Sequence, residues 1–410
     1  MTLVPSEYLA VIKRRDFFIL LLTLFLGQVA SAFLLLSLVA SVFTQTASNF
    51  GVTGIVLSLS TPAFFLMAFA GLTADIIDRK KIIIIANIVI SVIVLLVLLM
   101  LKNVYVSISL SFLYFAGNSF FLPAISAASA QLVKKSQLLI ANSLFIFTLS
   151  SGQIIGLFIA SIIQFIYGNL ITLVICEVLL IIAIFLPMFL PALPPLEKKP
   201  SFLNTRIKEI AKAFVYIFKS KIIWIFFVMF ASIQAIIAFG ATLGPGFFND
   251  IINIPITKSP ILMMPSIALG LLLGVVFIHK PKMNEAFLIK MGFSFIGFTA
   301  ALLGLIIKVG LIKGIILLIP ASIFLAVASF SVIIIMIASR TVLQKKVAHS
   351  FQGSVFGANI ILAAFLSSLM SPLAAAVEVL IGYVNVLIYL GIVLLLISFV
   401  MGFIGKRWKL

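Results

Sequence analysis

The sequence predicts an all-α membrane protein whose twelve transmembrane helices form two pseudo-symmetric bundles of six. Three observations carry this prediction. The 410 residues are 64% hydrophobic and their mean hydropathy is +1.37, against the roughly 45–50% apolar content of a soluble domain. Apolar stretches of about 20 residues or more recur along the whole chain, each long enough to cross a hydrocarbon core of about 30 Å as a helix. Threading these stretches through a bilayer places most basic residues on one side. A barrel would need alternating strands of about 10 residues, and none is visible.

The first span runs over 16–43. Lys13, Arg14 and Arg15 before it resemble the start of a signal peptide, but the apolar run is too long and lacks a small-residue cleavage site, so it is read as a permanent span. Five more follow at 51–73, 82–101, 104–130, 138–166 and 169–191. The one sizeable break is "PALPPLEKKPSFLNTRIKEIAKAFVYIFKSK". Beyond it, spans are predicted at 221–245, 259–279, 286–307, 312–338, 350–378 and 383–405. The predicted domains are therefore 1–191, a cytoplasmic linker over 192–220, and 221–410. Within the linker, Leu203, Ile207, Ile210, Phe214 and Ile217 recur at helical spacing among Arg206, Lys208, Lys212 and Lys219, which suits a helix on the inner membrane surface. A flexible basic connection accounts for the same composition equally well. The stretches "AQLVKKSQLLIANSLF" and "RTVLQKKVAHSFQGSVFGANIIL" fall at the same place in their halves and echo each other, as in transporters built from related repeats.

The net charge of +18 sits in short clusters between spans, so it reports topology rather than nucleic acid binding. Short cytoplasmic loops are enriched in Lys and Arg. With both termini inside, 24 of the 28 bases lie on the cytoplasmic side, and only Lys102, Lys258, Lys308 and Lys313 lie outside. The expectation is a multi-pass protein of the cell's cytoplasmic membrane, in contact with its lipids, with both termini cytoplasmic. A single cysteine, Cys176, excludes an internal disulfide and a cysteine-based metal cluster.

The stretch "GLTADIIDRKK" over 71–81 gathers two acids and three bases. Cytoplasmic anchoring explains Lys80 and Lys81 but not Asp75 and Asp78. A carboxylate at Asp75, at the end of its span, can face the start of a neighbouring helix, whose free N–H groups favour it by about 0.3–1 kcal/mol. Gly71-x-x-Ala74-Asp75-x-x-Asp78-Arg79-Lys80 resembles the loop motif of the major facilitator superfamily, G-x-L-A-D-R-x-G-R-K. Thr73, Ile76 and Asp78 stand where that motif has Leu, its first Arg and its second Gly. "GNSFFLPAISAASAQLV" from Gly117, "ANSL" from Ala141 and "GQIIG" from Gly152 are similar to the fourth and fifth spans of the macrolide-efflux-type and enterobactin-exporter-like branch. The resemblance implies a major facilitator fold, alternating access, and a conformational latch made by Gly71, Asp75, Asp78 and Arg79. In that latch Asp75 meets the start of the eleventh helix, Arg79 holds Asp75, and Gly71 lets two helices approach closely.

The resemblance also implies a substrate cavity near the bilayer midplane, lined by the first, fourth, seventh and tenth helices. Gln28, Asn118 and Gln234 reach a similar depth, counted at about 1.5 Å per residue, and are the cavity candidates. Hydrogen bonding from helix to helix is the other use for such amides. Of ten acids only Glu177 and Glu378 fall inside spans. Glu177, about 13 Å from the outer end, is the candidate for proton coupling, and pairing within its own half is the alternative. Gly152 and Gly156 form a small-xxx-small packing face. Two departures from proton-coupled drug exporters are plain: the fourth span has no Arg, and Leu157 follows Gly156 where those exporters often have a Gly-Pro pair.

"DIID" is the one paired-acid motif, and three bases follow it at once; His279 and His349 are isolated. An enzyme is therefore a remote reading, and neither a channel filter nor a phosphate-binding loop is visible. No metal or cofactor is expected, so the drive comes from a gradient of protons or another ion. The expected function is proton-coupled efflux of a hydrophobic or amphipathic small molecule, such as a drug, macrolide or siderophore-like compound, by a monomer. A lipid-like or nutrient transporter without proton antiport is the alternative.

Overall fold

The computed structural model describes residues 6–134, 137–194, 212–256, 258–278 and 284–407. Among these residues every regular element is helical. The main helices are α1 (Ser6–Ile12), α2 (Arg15–Thr46), α3 (Asn49–Ile76), α4 (Arg79–Met100), α5 (Val104–Gln131), α6 (Leu138–Phe185), α7 (Lys221–Gly246), α8 (Ser259–Ile278), α9 (Glu285–Val309), α10 (Leu318–Lys346) and α11 (His349–Arg407). Ten helices among the described residues are long and apolar enough to cross a membrane.

Polar residues between the apolar runs set the ends. Asn103 caps α5 by accepting from Val106 N at 3.2 Å, and Asn284 caps α9 by accepting from Ala286 N at 2.8 Å. Each satisfies a backbone donor that has no partner inside its helix. Gly310, with φ 72°, closes α9 in the left-handed conformation that glycine adopts without steric cost.

Two elements exceed any single crossing. α6 has 48 residues and α11 has 59, and 48 residues of straight helix would run for about 72 Å. Both are broken by one glycine: Gly168 (φ 82°, ψ −179°) divides α6, and Gly382 (φ 75°, ψ 156°) divides α11. These breaks fall where the sequence pattern separates its fifth from its sixth span and its eleventh from its twelfth. α10 departs from expectation. It starts at Leu318, after a 3₁₀ turn over Gly314–Leu317, and continues to Lys346 rather than ending near 338. Hydropathy falls at Arg340, but a helix needs no apolar side chains once it leaves the hydrocarbon. The Arg340 guanidinium lies 5.6 Å from the centre of the Phe356 ring, a favourable cation–π distance.

The chain divides into two compact units, Met1–Thr46 with Ser58–Ile207, and Ala47–Leu57 with Lys208–Leu410. α3 is thus shared, its first turns belonging to the second unit. In the first unit α4 shows how the sequence suits a bilayer. Ile83, Ala86, Asn87, Ile90, Val94 and Val97 are buried, while Ile85, Ile88, Val92 and Leu99 on the other side are exposed, Leu99 by 82%. A helix apolar all round is stable only where its outer face meets lipid or more protein.

In the second unit Phe226 and Phe227 of α7, Ile289 and Phe293 of α9 and Ile334 and Ile335 of α10 share one core. Of the predicted linker helix, Leu203, Ile207 and Ile210 lie outside the described residues. Residues 212–219 are helical, and Ala213 and Ile217 are buried in this same core. That stretch packs its apolar side against protein.

α9 and the second arm of α11 cross at glycine. A Cβ on Gly391 would stand 2.6 Å from Gly297 O and 2.7 Å from Ala301 Cβ. Gly391→Val is expected to cost about 1–3 kcal/mol through overpacking. Thermal unfolding of the purified protein in detergent checks this, with Leu396→Val on the exposed face expected to leave the midpoint nearly unchanged.

Candidate functional site

The loop after α3 is held by side chains of the first unit. Asp78 caps α4: its Oδ1 accepts from Lys80 N at 2.9 Å and from Leu193 N at 3.2 Å. A carboxylate there satisfies free donors and faces the positive end of the helix dipole. Arg79 is buried, and its Nη1 donates to Gln131 Oε1 at 2.6 Å while its Nε donates to Ala74 O at 3.4 Å. Gln131 Nε2 donates in turn to Pro194 O at 3.0 Å, and Lys80 Nζ donates to Met188 O and Leu190 O at 2.8 and 2.6 Å. Arg79 was expected to hold Asp75. The Asp75 side chain lies outside the described residues, and the bonds described for Arg79 join the last turns of α3 and α5. Nothing among the described residues comes within 4 Å of a Cβ built on Gly71.

The three cavity candidates differ in exposure. Gln28 on α2 is buried and Asn118 on α5 is half-buried, both in the first unit; Gln234 on α7 of the second unit is exposed. None of them hydrogen-bonds another described residue through its side chain. Other intramembrane amides do. Asn87 Nδ2 donates to Ala183 O at 3.0 Å, Asn359 Nδ2 to Phe227 O at 2.9 Å and Asn169 Nδ2 to Ser37 O at 3.2 Å. An amide in an apolar setting needs partners, and the side chains of Gln28, Asn118 and Gln234 have none among the described residues. Gln153 on α6 shares this property, and nothing in its sequence context separates it from other polar residues. Beside it, Gly152 and Gly156 bring α6 directly onto α2. A Cβ on Gly152 would stand 2.8 Å from Gln28 Cβ, and one on Gly156 would stand 2.8 Å from Val29 Cα and Ala32 Cβ.

Glu177 sits on the second arm of α6 and is 5% exposed. Ser91 Oγ of α4 donates to its Oε1, whereas Oε2 is buried with no partner among the described residues. The neighbouring Cys176 Sγ donates to Ala30 O at 3.2 Å. A solvated carboxylate accepts several hydrogen bonds, and this one has a single described donor. Glu177 thus ties α6 to α4 through one of its two oxygens. No group of three or more His, Cys, Asp or Glu side chains among the described residues is placed to hold a metal ion.

Residues 17–372 match the family model described as Major Facilitator Superfamily. The chain belongs to the major facilitator superfamily. A comparison with curated proteins gives no match. Among solved structures, the chain is similar to a POT family transporter in complex with a thioalcohol-conjugated peptide (12% identity, TM-score 0.76, 96% of each chain covered). It is also similar to the nucleoside transporter NupG (16% identity, TM-score 0.73, 95% of this chain and 99% of that one) and to the POT family transporter PepTSo (12% identity, TM-score 0.73, 96% and 98%). At these identities the likeness is one of fold. As a member of the superfamily the protein is a multi-pass membrane protein of a transport family.

Proposed function

We propose that this superfamily member is a proton-coupled exporter of a hydrophobic or amphipathic small molecule, working by alternating access as a monomer in the cytoplasmic membrane with both termini inside. In this reading the broken helices α6 and α11 each supply two spans, giving twelve in two halves of six. The observation that carries the coupling is Glu177, buried, bonded through one oxygen to Ser91 and unpartnered at the other. Gln28, Asn118 and Gln234, whose side chains make no hydrogen bond to a described residue, are the residues that meet substrate. The stretch from Gly71 to Arg79, with Asp75 and Asp78, is the latch that changes with the transport state. Gly152 and Gly156 set the close packing behind Gln28.

The reading is tested by reconstituting the protein in liposomes and following lipophilic cations, macrolides, siderophores and lysolipids with and without an imposed pH gradient. Movement of an amphipathic compound driven by the gradient supports proton-coupled export. Movement indifferent to the gradient favours the second reading, a facilitator of a lipid-like or nutrient substrate, for which the nucleoside and peptide transporters of like fold make nucleosides and short peptides the first additions to the panel.

A further inference from the structure

One polar cluster is left out of that reading. It lies wholly within the second unit, where the first turn of α3, the end of α7 and the break in α11 meet. Asn49 is 3% exposed. Its Nδ2 donates to Tyr383 OH at 2.6 Å and to Glu378 Oε2 at 3.2 Å. Tyr383 OH donates to Asp250 Oδ2 at 3.3 Å, and Asn249 Nδ2 donates to Asp250 Oδ1 at 2.8 Å. The nitrogen of Asn49 is thus committed to the cluster, which fixes its Oδ1 beside it. That oxygen is buried and has no hydrogen-bond partner among the described residues.

We propose that Asn49, Asp250, Glu378 and Tyr383 form a binding site for a hard metal cation, with the Asn49 Oδ1 as the preformed neutral ligand and the two carboxylates as the charged ones. Oxygen-only donors of this kind suit alkali and alkaline-earth ions and match none of the softer metals. Lys345 with Glu285 is the one ion pair recorded between described side chains, so no described base neutralises Asp250 or Glu378 by direct contact. Lys308, the base recorded on the adjoining turn, donates to Asn385 Oδ1 at 3.4 Å.

The backbone is shaped around these oxygens. α7 ends in a π-helical turn, Phe247–Ile251, which carries Asp250 into place; such turns occur disproportionately at functional sites. A Cβ on Gly246 would overlap the Tyr383 hydroxyl and reach within 2.7 Å of Asn49 Oδ1, so glycine here lets both groups sit against the backbone of α7. The left-handed Gly382 reverses the chain and brings Glu378 and Tyr383 to the same end. Asp250 is exposed and Glu378 and Tyr383 are half-buried, which gives an ion a path from solvent to the buried amide. A hydrogen-bond network that only ties α3 to α11 would account for the Asn49 nitrogen and leave its oxygen without a use.

The site is independent of proton-coupled export, since ion binding can be read without transport. The full-length protein is purified in detergent, stripped with a chelator and titrated at fixed pH and ionic strength with NaCl or CaCl2 against choline chloride. Bound ²²Na⁺ or ⁴⁵Ca²⁺ and the thermal midpoint are followed together. The expected result is saturable binding of one of these ions with a rise in the midpoint, weakened tenfold or more in Glu378→Gln and in Asp250→Asn. Asp250 is exposed, so its variant stays readable if the Glu378 variant unfolds. Absence of saturable binding of both ions to the parent protein, or equal affinity in the parent and Asp250→Asn, overturns the proposal.

Discussion

Liposomes carrying the Glu177→Gln protein are expected to move substrate at one rate whether or not a pH gradient is imposed, while the parent protein is accelerated several-fold by the gradient. Glutamine keeps the size of the side chain and retains an oxygen to accept the Ser91 hydroxyl, but it cannot exchange a proton. The interface between α4 and α6 therefore survives, and the thermal midpoint should move by no more than a change of about 1 kcal/mol implies. A loss of gradient response with stability intact assigns coupling to the carboxyl group itself. A variant that still follows the gradient removes Glu177 from the mechanism and leaves its orphan oxygen as a local imperfection of packing.

Arg79→Ala is expected to lower stability by about 1–3 kcal/mol, because Gln131 Oε1 and Ala74 O lose their donor in a buried setting. Arg79→Lys restores the charge but not the two-directional geometry of the guanidinium, so it should recover only part of the loss. The pairing is checked by a double-mutant cycle with Gln131→Ala, read by thermal unfolding. Additive losses would mean that the 2.6 Å contact contributes no coupling and that Arg79 acts through some other neighbour. In transport assays the same variant should slow turnover without changing the response to the gradient, since the loop it anchors lies apart from Glu177.

The positions of most of the long helices were legible in the sequence, because helices that suit a bilayer are written as long apolar runs with basic clusters between them. The turns at Gly168 and Gly382 fell at breaks that hydropathy alone located. The end of α10 was not legible, since helix propensity continues through Arg340, Lys345 and Lys346 after hydropathy has fallen. The partner of Arg79 was hidden for a different reason. Gln131 is 52 residues away, and a lone amide at a helix end carries no pattern that pairs it with a base. Glu177 was visible as an acid inside a span, but its dependence on Ser91, 86 residues distant, was not. The cluster around Asn49 was the least visible. Asn49 reads as a loop residue before a span and Asp250 as an ordinary loop acid, and only the fold brings positions 49, 246, 250, 378 and 383 together.

The two left-handed glycines also bear on where the chain can be reached. Each joins two long apolar arms through a single residue, so neither pair of arms has a loop between them. These two turns offer little chain for a protease or a glycosylating enzyme to grasp, and an affinity tag inserted at either would have to force the arms apart.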